Sequence, residues 1–232
     1  MLRALIGALA LAALLAGASG CGGSEGTTGS AEEVVRASIE RTNAVKSFHF
    51  TLDEQNVPTT TAGLQLTGAE GDVVVPDRAR ADVSGNFGGI AIATQIVAIG
   101  EKVWLKDPLS GAWQPVDVGT TPVALLDPAK GVLGVMEKVT ELVDEGVEDV
   151  DGATLHKISG TVTAADVAPL VAVSPSDRQV PVTLWIGEDD SLLRRIVVTG
   201  PVAEGEPDDA LRIVEVSRFG EPVTIEPPEG SG

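Results

Sequence analysis

Few residues in this chain carry side chains suited to covalent or proton-transfer chemistry. There are two histidines, one cysteine and no tyrosine. His49 stands between Phe48 and Phe50 in an alternating stretch, so if the phenylalanines face inward its ring faces solvent. His156 sits between Leu155 and Lys157 in another strand. Neither is matched by a serine or cysteine in a nucleophile motif, and the sequence holds no G-x-S-x-G elbow, phosphate-binding loop or H-E-x-x-H pair. The expectation is a protein that is not an enzyme, with no catalytic residue, no metal and no cofactor. The acidic run Asp144 to Gly152 lacks the alternating order of a calcium loop and reads as a helix end running into a solvated turn. Asp189-Asp190 and Asp208-Asp209 read as turns. Arg78 and Arg80 share one strand face. Arg194 and Arg195 are adjacent and so are expected on opposite faces. All four read more simply as polar-face and edge charges than as a seat for an anionic headgroup.

The side chain best placed for chemistry is Cys21. An apolar run from Ala4 to Ala18 follows Arg3, too short to span a bilayer and suited to the core of a secretory signal. It ends Ala18-Ser19-Gly20-Cys21, small residues immediately before the chain's single cysteine. That is the pattern of a lipobox, in which the thiol is diacylated and becomes the mature N-terminus. Ala16-Gly17-Ala18 also reads as an ordinary A-x-A cleavage site, which leaves the thiol idle. Two acyl chains anchor a protein stably, since each buried methylene is worth ~0.8 kcal/mol. Help from the protein surface is not expected, because the chain without Arg3 has 15 basic residues against 34 acidic ones. The same balance excludes nucleic acid as a partner. One cysteine makes neither an internal disulfide nor a thiolate metal cage. Residues 1–20 are expected to be a signal peptide, 21–30 the lipidated cysteine and a flexible tether, and 31–228 one domain.

The elements of that domain follow from caps and periodicity. Ser30 with Glu33 forms a capping box opening a helix over about 31–46. The period then falls to two: Phe48, Phe50 and Leu52 mark one strand, Leu64 to Val75 the next, and 78–87 and 90–99 two more. Ile90 to Ile99 is apolar on both faces except at Thr94 and Gln95. Val103-Trp104-Leu105 and Trp113 to Val118 flank a turn as a hairpin. Asp127-Pro128 reads as the start of a long helix with Val132, Val135, Met136, Val139, Leu142 and Val143 on one stripe, ending near Gly146. Thr163 caps a shorter helix through Val171. Strands are expected over about 180–187, 192–199 and 210–218, with a short last one at Val223 to Ile225. The reading is α+β, a many-stranded antiparallel sheet meeting three helical stretches.

Taken together, the VWL and DPLSGAW pieces, LLDPAKGV, DGATLHKISGTVTA, VPVTLWIGEDDSLLRRI and VEVSRFGEPVTIEPP resemble, in order and spacing, the LppX/LprAFG family of actinobacterial envelope lipoproteins. The resemblance implies a strongly curved half-barrel sheet with helices across its concave face, enclosing an apolar pocket for acylated lipids or glycolipids. The pocket strand of that family corresponds to Val83, Gly85 and Phe87 before Gly88-Gly89. Its walls would include Val83, Phe87, Ile90, Ile92, Leu105, Val132, Val135, Met136 and Val139. The implied role is a carrier that moves acylated lipid across the envelope from the outer face of the cytoplasmic membrane. Cys21 would hold the membrane, with an envelope transporter as a further partner. The competing reading is a filled-core envelope lipoprotein that senses or chaperones through protein partners.

Overall fold

Residues 30–59, 64–116, 131–171 and 178–230 are described by a computed structural model. The leader, Cys21 and the Asp127-Pro128 start lie outside them. Helix α1 (Ala31–Asn43) begins as expected: Ser30 Oγ accepts from the Glu33 N–H, and the Glu33 carboxylate accepts from the Ser30 N–H at 3.0 Å. Five strands follow in an antiparallel meander, β1 (Ser47–Gln55), β2 (Leu64–Val74), β3 (Arg78–Phe87), β4 (Ile90–Ile99) and β5 (Lys102–Lys106), closed by β6 (Trp113–Val116). Helix α2 (Val132–Met136) leads into β7 (Thr140–Val150) and β8 (Ala153–Thr163). Helix α3 (Ala164–Val171) follows β8, and the second meander continues through β9 (Gln179–Gly187), β10 (Leu193–Thr199) and β11 (Leu211–Ser217). At α3 the Thr163 hydroxyl accepts from the Asp166 N–H at 3.2 Å, the cap expected there.

All eleven strands form one antiparallel sheet in the order β6-β5-β4-β3-β2-β1-β11-β10-β9-β8-β7. The two meanders are joined only where β1 pairs with β11, from His49 opposite Ser217 to Gln55 opposite Leu211. The edges β6 and β7 do not meet, so the sheet is unclosed. A sheet this wide does not stay flat, and this one curls. Close approach between strands is part of the cause. A Cβ on Gly71 would lie 2.2 Å from the Arg80 carbonyl oxygen, and one on Gly85 would lie 2.4 Å from that of Gln65. Glycine at these two positions allows β2 and β3 to wrap more tightly than side chains permit.

Register sorts the side chains into two faces. One ladder runs Val83, Ala69, Leu52, Val214, Ile196, Leu184 and Ile158 across seven strands. Apart from half-buried Val83 all are buried, and they belong to one apolar cluster that also holds Ala31 and Val35 of α1, Leu133, Val135 and Met136 of α2, and Val167 of α3. The helices make their main sheet contacts with β7 to β10. The opposite face is mostly polar, with a second, small cluster of Val97, Trp104 and Ile225.

Two sequence expectations fail here. The long helix through Gly146 is instead the five-residue α2 followed by β7. The Lys138 and Val139 N–H groups bond three residues back, to Val135 and Met136, which tightens and ends the helix. From Thr140 the chain pairs with β8, with register shifts between Thr140 and Val143 and between Asp144 and Val147. The helical stripe through Leu142 and Val143 was a coincidence of spacing that strand pairing overrides. The acidic run is therefore the second half of β7 and its turn at Asp151-Gly152, not a helix end. The stretch Val223 to Ile225 forms no strand. Ile225 is buried on the polar face, and its carbonyl accepts from Arg78 Nη1 at 2.9 Å.

Candidate lipid-binding face

Of the residues singled out as pocket walls, Val83, Phe87, Ile90, Ile92 and Leu105 lie on the apolar face of the sheet, at very different depths. Along β3 the inward positions Ala79 and Ala81 are buried, Val83 is half-buried, and Phe87 is 61% exposed. Phe87 pairs directly with Ile90, itself 70% exposed, across the turn Gly88-Gly89. Both glycines have positive φ, +58° and +82°, as a two-residue hairpin turn requires. Phe87 and Ile90 thus form an open rim, while Ile92 and Leu105 are half-buried between rim and core. Val132 opens α2. Val135, Met136 and Val139 are buried in the main cluster. Val139 sits over the bare backbone of Gly160, where an added Cβ would lie 2.6 Å from its Cγ1.

Side-chain size divides the apolar face into two halves. Across β2 to β4 its rows include the small residues Ala69, Gly71, Ala79, Ala81, Gly85 and Ala98, interleaved with larger ones such as Leu66, Val73 and Ile96. Across β8 to β11 they hold Ile158, Val180, Leu184, Ile186, Leu193 and Val216, and these meet the helices.

His49 lies on the face that alternation predicts but is buried there instead of solvated: it shares the polar face with Asp72 and is only 9% exposed. Its Nδ1 lies 2.9 Å from Asp72 Oδ1 and its Nε2 3.3 Å from Glu70. Arg80 bonds the other Asp72 oxygen at 3.1 Å, and Arg218 approaches at 3.7 Å. Burial alone would raise the Asp72 pKa, but the hydrogen bonds from His49 and Arg80 outweigh it and hold the carboxyl below its usual value. The tail at Pro222 to Thr224 lies beside this cluster, which is why the ring is shielded. His156 stands opposite Ile186 in an apolar-face row, and its Nδ1 is buried without a hydrogen-bond partner. Among the described residues neither ring is set against a serine hydroxyl in the geometry of a nucleophile pair.

Arg194 and Arg195 also depart from expectation. A register shift between Leu193 and Arg195 places both along one groove of about 330 Å³ beside Trp185. Arg195 pairs with Glu215 and lies 5.7 Å from the Trp185 ring centre, and Arg194 bonds Asp190 at 2.6 Å. Arg78 and Arg80 share the polar face as expected, each engaged in an internal contact.

The residues that sequence reasoning missed lie on the apolar face itself. Glu54 follows Phe48, Phe50 and Leu52 in phase on β1, and Arg212 precedes Val214 and Val216 in phase on β11; the two pair directly. Arg212 is 2% exposed, and its Nε donates to Glu54 Oε1 at 3.1 Å while its Nη2 donates to Glu206. Glu206 also accepts from the backbone N–H groups of Val202 and Ala203. Burial, opposed by Arg212 and reinforced by the Glu206 charge, pushes the Glu54 carboxyl up to about 7. The signal was a charged residue in the inward phase of each of two otherwise apolar strands.

Comparison with known proteins agrees with this architecture. LprF from Mycobacterium bovis has a crystal structure that aligns with a TM-score of 0.64 at 23% identity, over 87% of this chain and all of that one. In sequence, LppX of Mycobacterium tuberculosis, named for phthiocerol dimycocerosate transport, is 27% identical over 194 residues, 83% of this chain and 77% of LppX. LprG of Mycolicibacterium smegmatis, named a lipoarabinomannan carrier protein, is 27% identical over 202 residues, 82% of this chain and 83% of LprG. These relatives are named as lipid or glycolipid carriers or transporters. The family model of the LppX_LprAFG lipoproteins matches residues 30–225, and the chain belongs to that family.

Proposed function

We propose that this protein binds acylated lipid or glycolipid between the apolar face of its sheet and the elements that cover it, and carries that lipid across the cell envelope while tethered to the outer face of the cytoplasmic membrane through a diacylated Cys21. The observation that carries the reading is the division of the apolar face. The half packed against the helices is filled almost throughout with Val, Leu and Ile, whereas the half on β2 to β4 sets six small residues, Ala69, Gly71, Ala79, Ala81, Gly85 and Ala98, among larger ones such as Leu66, Val73 and Ile96. Small side chains on an apolar wall leave depth for acyl chains, and half-buried Val83, Ile92 and Leu105 stand where that depth opens toward the Phe87–Ile90 rim. The names of the relatives support the ligand class. A two-chain lipid exposes ~30 methylenes when it leaves a membrane, at ~0.8 kcal/mol each. A protein that covers both chains removes that barrier with no covalent step, and no catalytic residue is required.

The test is native mass spectrometry of the full chain purified from an envelope-producing host, with organic extraction of what is bound. Wild type is expected to carry acyl lipid of defined mass. Val83→Trp, which adds an indole to the wall without touching the Leu and Val half, is expected to fold and to arrive empty. A wild-type protein that neither carries nor takes up diacyl lipid would overturn the proposal, and a loaded Val83→Trp would show that the lipid uses another wall.

A further inference from the structure

The ion pair on the apolar face is more than an interior charge neutralised. Arg212 has one positive charge, and Glu206 satisfies it while fastening the loop at Val202 and Ala203. Glu54 is a second carboxyl for the same cation, 3% exposed. Electroneutrality does not call for it, and burying it costs free energy. After every contact within the pair is made, Arg212 Nη1 is still buried without a hydrogen-bond partner among the described residues, while the Gln65 side chain hydrogen-bonds the Glu54 carboxyl. An orphaned polar atom this deep is rare and costly.

Their position is specific. The row Glu54, Arg212, Val198, Val182 and Gly160 runs across the apolar face and ends beneath Val139. It is the row next to the one through Val83, Ala69 and Leu52. The polar pair therefore borders the wall proposed above for acyl chains, on the same side of the sheet.

We infer that Arg212 and Glu54 form a polar anchor inside the apolar interior, receiving an uncharged oxygen of the bound lipid: an ester carbonyl at the root of an acyl chain. This rests on the reading that lipid occupies that interior. The chemistry selects the group. Arg212 Nη1 offers N–H donors to a carbonyl oxygen. An anionic group is disfavoured, because two carboxyls already share one guanidinium. A bare hydrocarbon would leave the donor unmet.

The experiment compares the affinity of the full chain for dipalmitoylglycerol and for its dihexadecyl ether analogue, which keeps the chains and the hydroxyl and lacks both carbonyls. Wild type is expected to prefer the ester about 10-fold or more, the size of one hydrogen bond to a charged donor. Arg212→Lys retains a cation for Glu206 but loses the Nη1 donor, and is expected to bring the ester-to-ether ratio close to one. Glu54→Gln keeps the shape of the site, serves if the lysine variant fails to fold, and is expected to shift the same ratio. Equal wild-type affinity for the two lipids would overturn the anchor and leave lipid binding standing. Variants that weaken both lipids by one factor would reduce the pair to a structural brace, also overturning it. Binding of neither lipid would fail the carrier reading itself and take the anchor with it.

Discussion

Replacing Glu54 with glutamine should make the protein more stable at neutral and alkaline pH and leave it unchanged in mild acid. The carboxyl lies in the apolar face between Leu52 and the chain reversal after Gln55, and its pKa rises from 4.5 to about 7 because burial disfavours the charged form and Arg212 only partly compensates. The folded state therefore holds a proton there that the unfolded chain has released, over the window from about pH 4.5 to 7. In that window the unfolded state binds fewer protons, so stability falls as pH rises. The full loss is about 3 kcal/mol, from ~1.4 kcal/mol for each pH unit of displacement. The glutamine side chain cannot ionise, still presents a carbonyl oxygen to Arg212 Nε, and removes the loss. Urea unfolding of both proteins from acid to mild alkali, about pH 4 to 8, measures this directly. The variant is expected to match wild type at the acid end and to exceed it by about 3 kcal/mol at the alkaline end. The difference between the two curves isolates this group from the histidines, which are common to both. A difference that stays constant across pH would refute the argument, because it would mean Glu54 titrates alike in the folded and unfolded states.

Other expectations concern different levels of the structure. Gly71→Ala places a methyl 2.2 Å from the Arg80 carbonyl and 2.8 Å from Ala81 Cα, and is expected to cost about 2–3 kcal/mol in denaturant unfolding. An unchanged midpoint would mean that β2 and β3 wrap less tightly than the register implies. Asp72→Asn removes a carboxyl held below its usual value by His49 and Arg80. Wild type should lead the variant above about pH 4 and lose that lead as pH falls through the lowered pKa. Acid unfolding of the pair checks this, and parallel curves would sink it. Cys21→Ser should abolish the gain in mass from acylation and release the protein from the membrane fraction, as fractionation with mass spectrometry would detect.

Local signals made much of the fold legible. The Ser30–Glu33 box and the Thr163 cap act within four residues, and both helices start where those caps stand. Strand β3 shows its alternation plainly because one face is buried and the other is wet for most of its length. Strand β7 was illegible because Val135, Val139 and Leu142 fall at helical spacing by chance. Its identity is decided by Thr154 to Thr161 on β8, which no local pattern announces. His49 shows the limit of face assignment. Alternation correctly put it opposite Phe48 and Phe50, yet the polar face there is covered by a tail more than 170 residues away, where the Glu221 carbonyl accepts from Ser47 Oγ. A clue was present in Ile90 to Ile99, apolar on both faces: Val97 meets Trp104 and Ile225 on the outer side.

The candidate site divides along the same line. Its face was readable, since Val83 and Phe87 share the phase of buried Ala79 and Ala81. Its depth was not, because the same phase runs from fully buried residues to a rim where Phe87 and Ile90 stand mostly in solvent. Phase reports which side of a sheet a residue occupies, while burial depends on what is laid over that side by other parts of the chain. The pair Glu54 and Arg212 inverts the usual inference. There the inward phase was unambiguous, and the residue types were wrong for a filled hydrocarbon core. A charge in the apolar phase of two paired strands, one from each meander, requires an interior that is not uniformly oily. A pocket for a molecule with both acyl chains and ester oxygens is an interior of that kind, so the two residues that fit a sealed core least well fit a lipid carrier best.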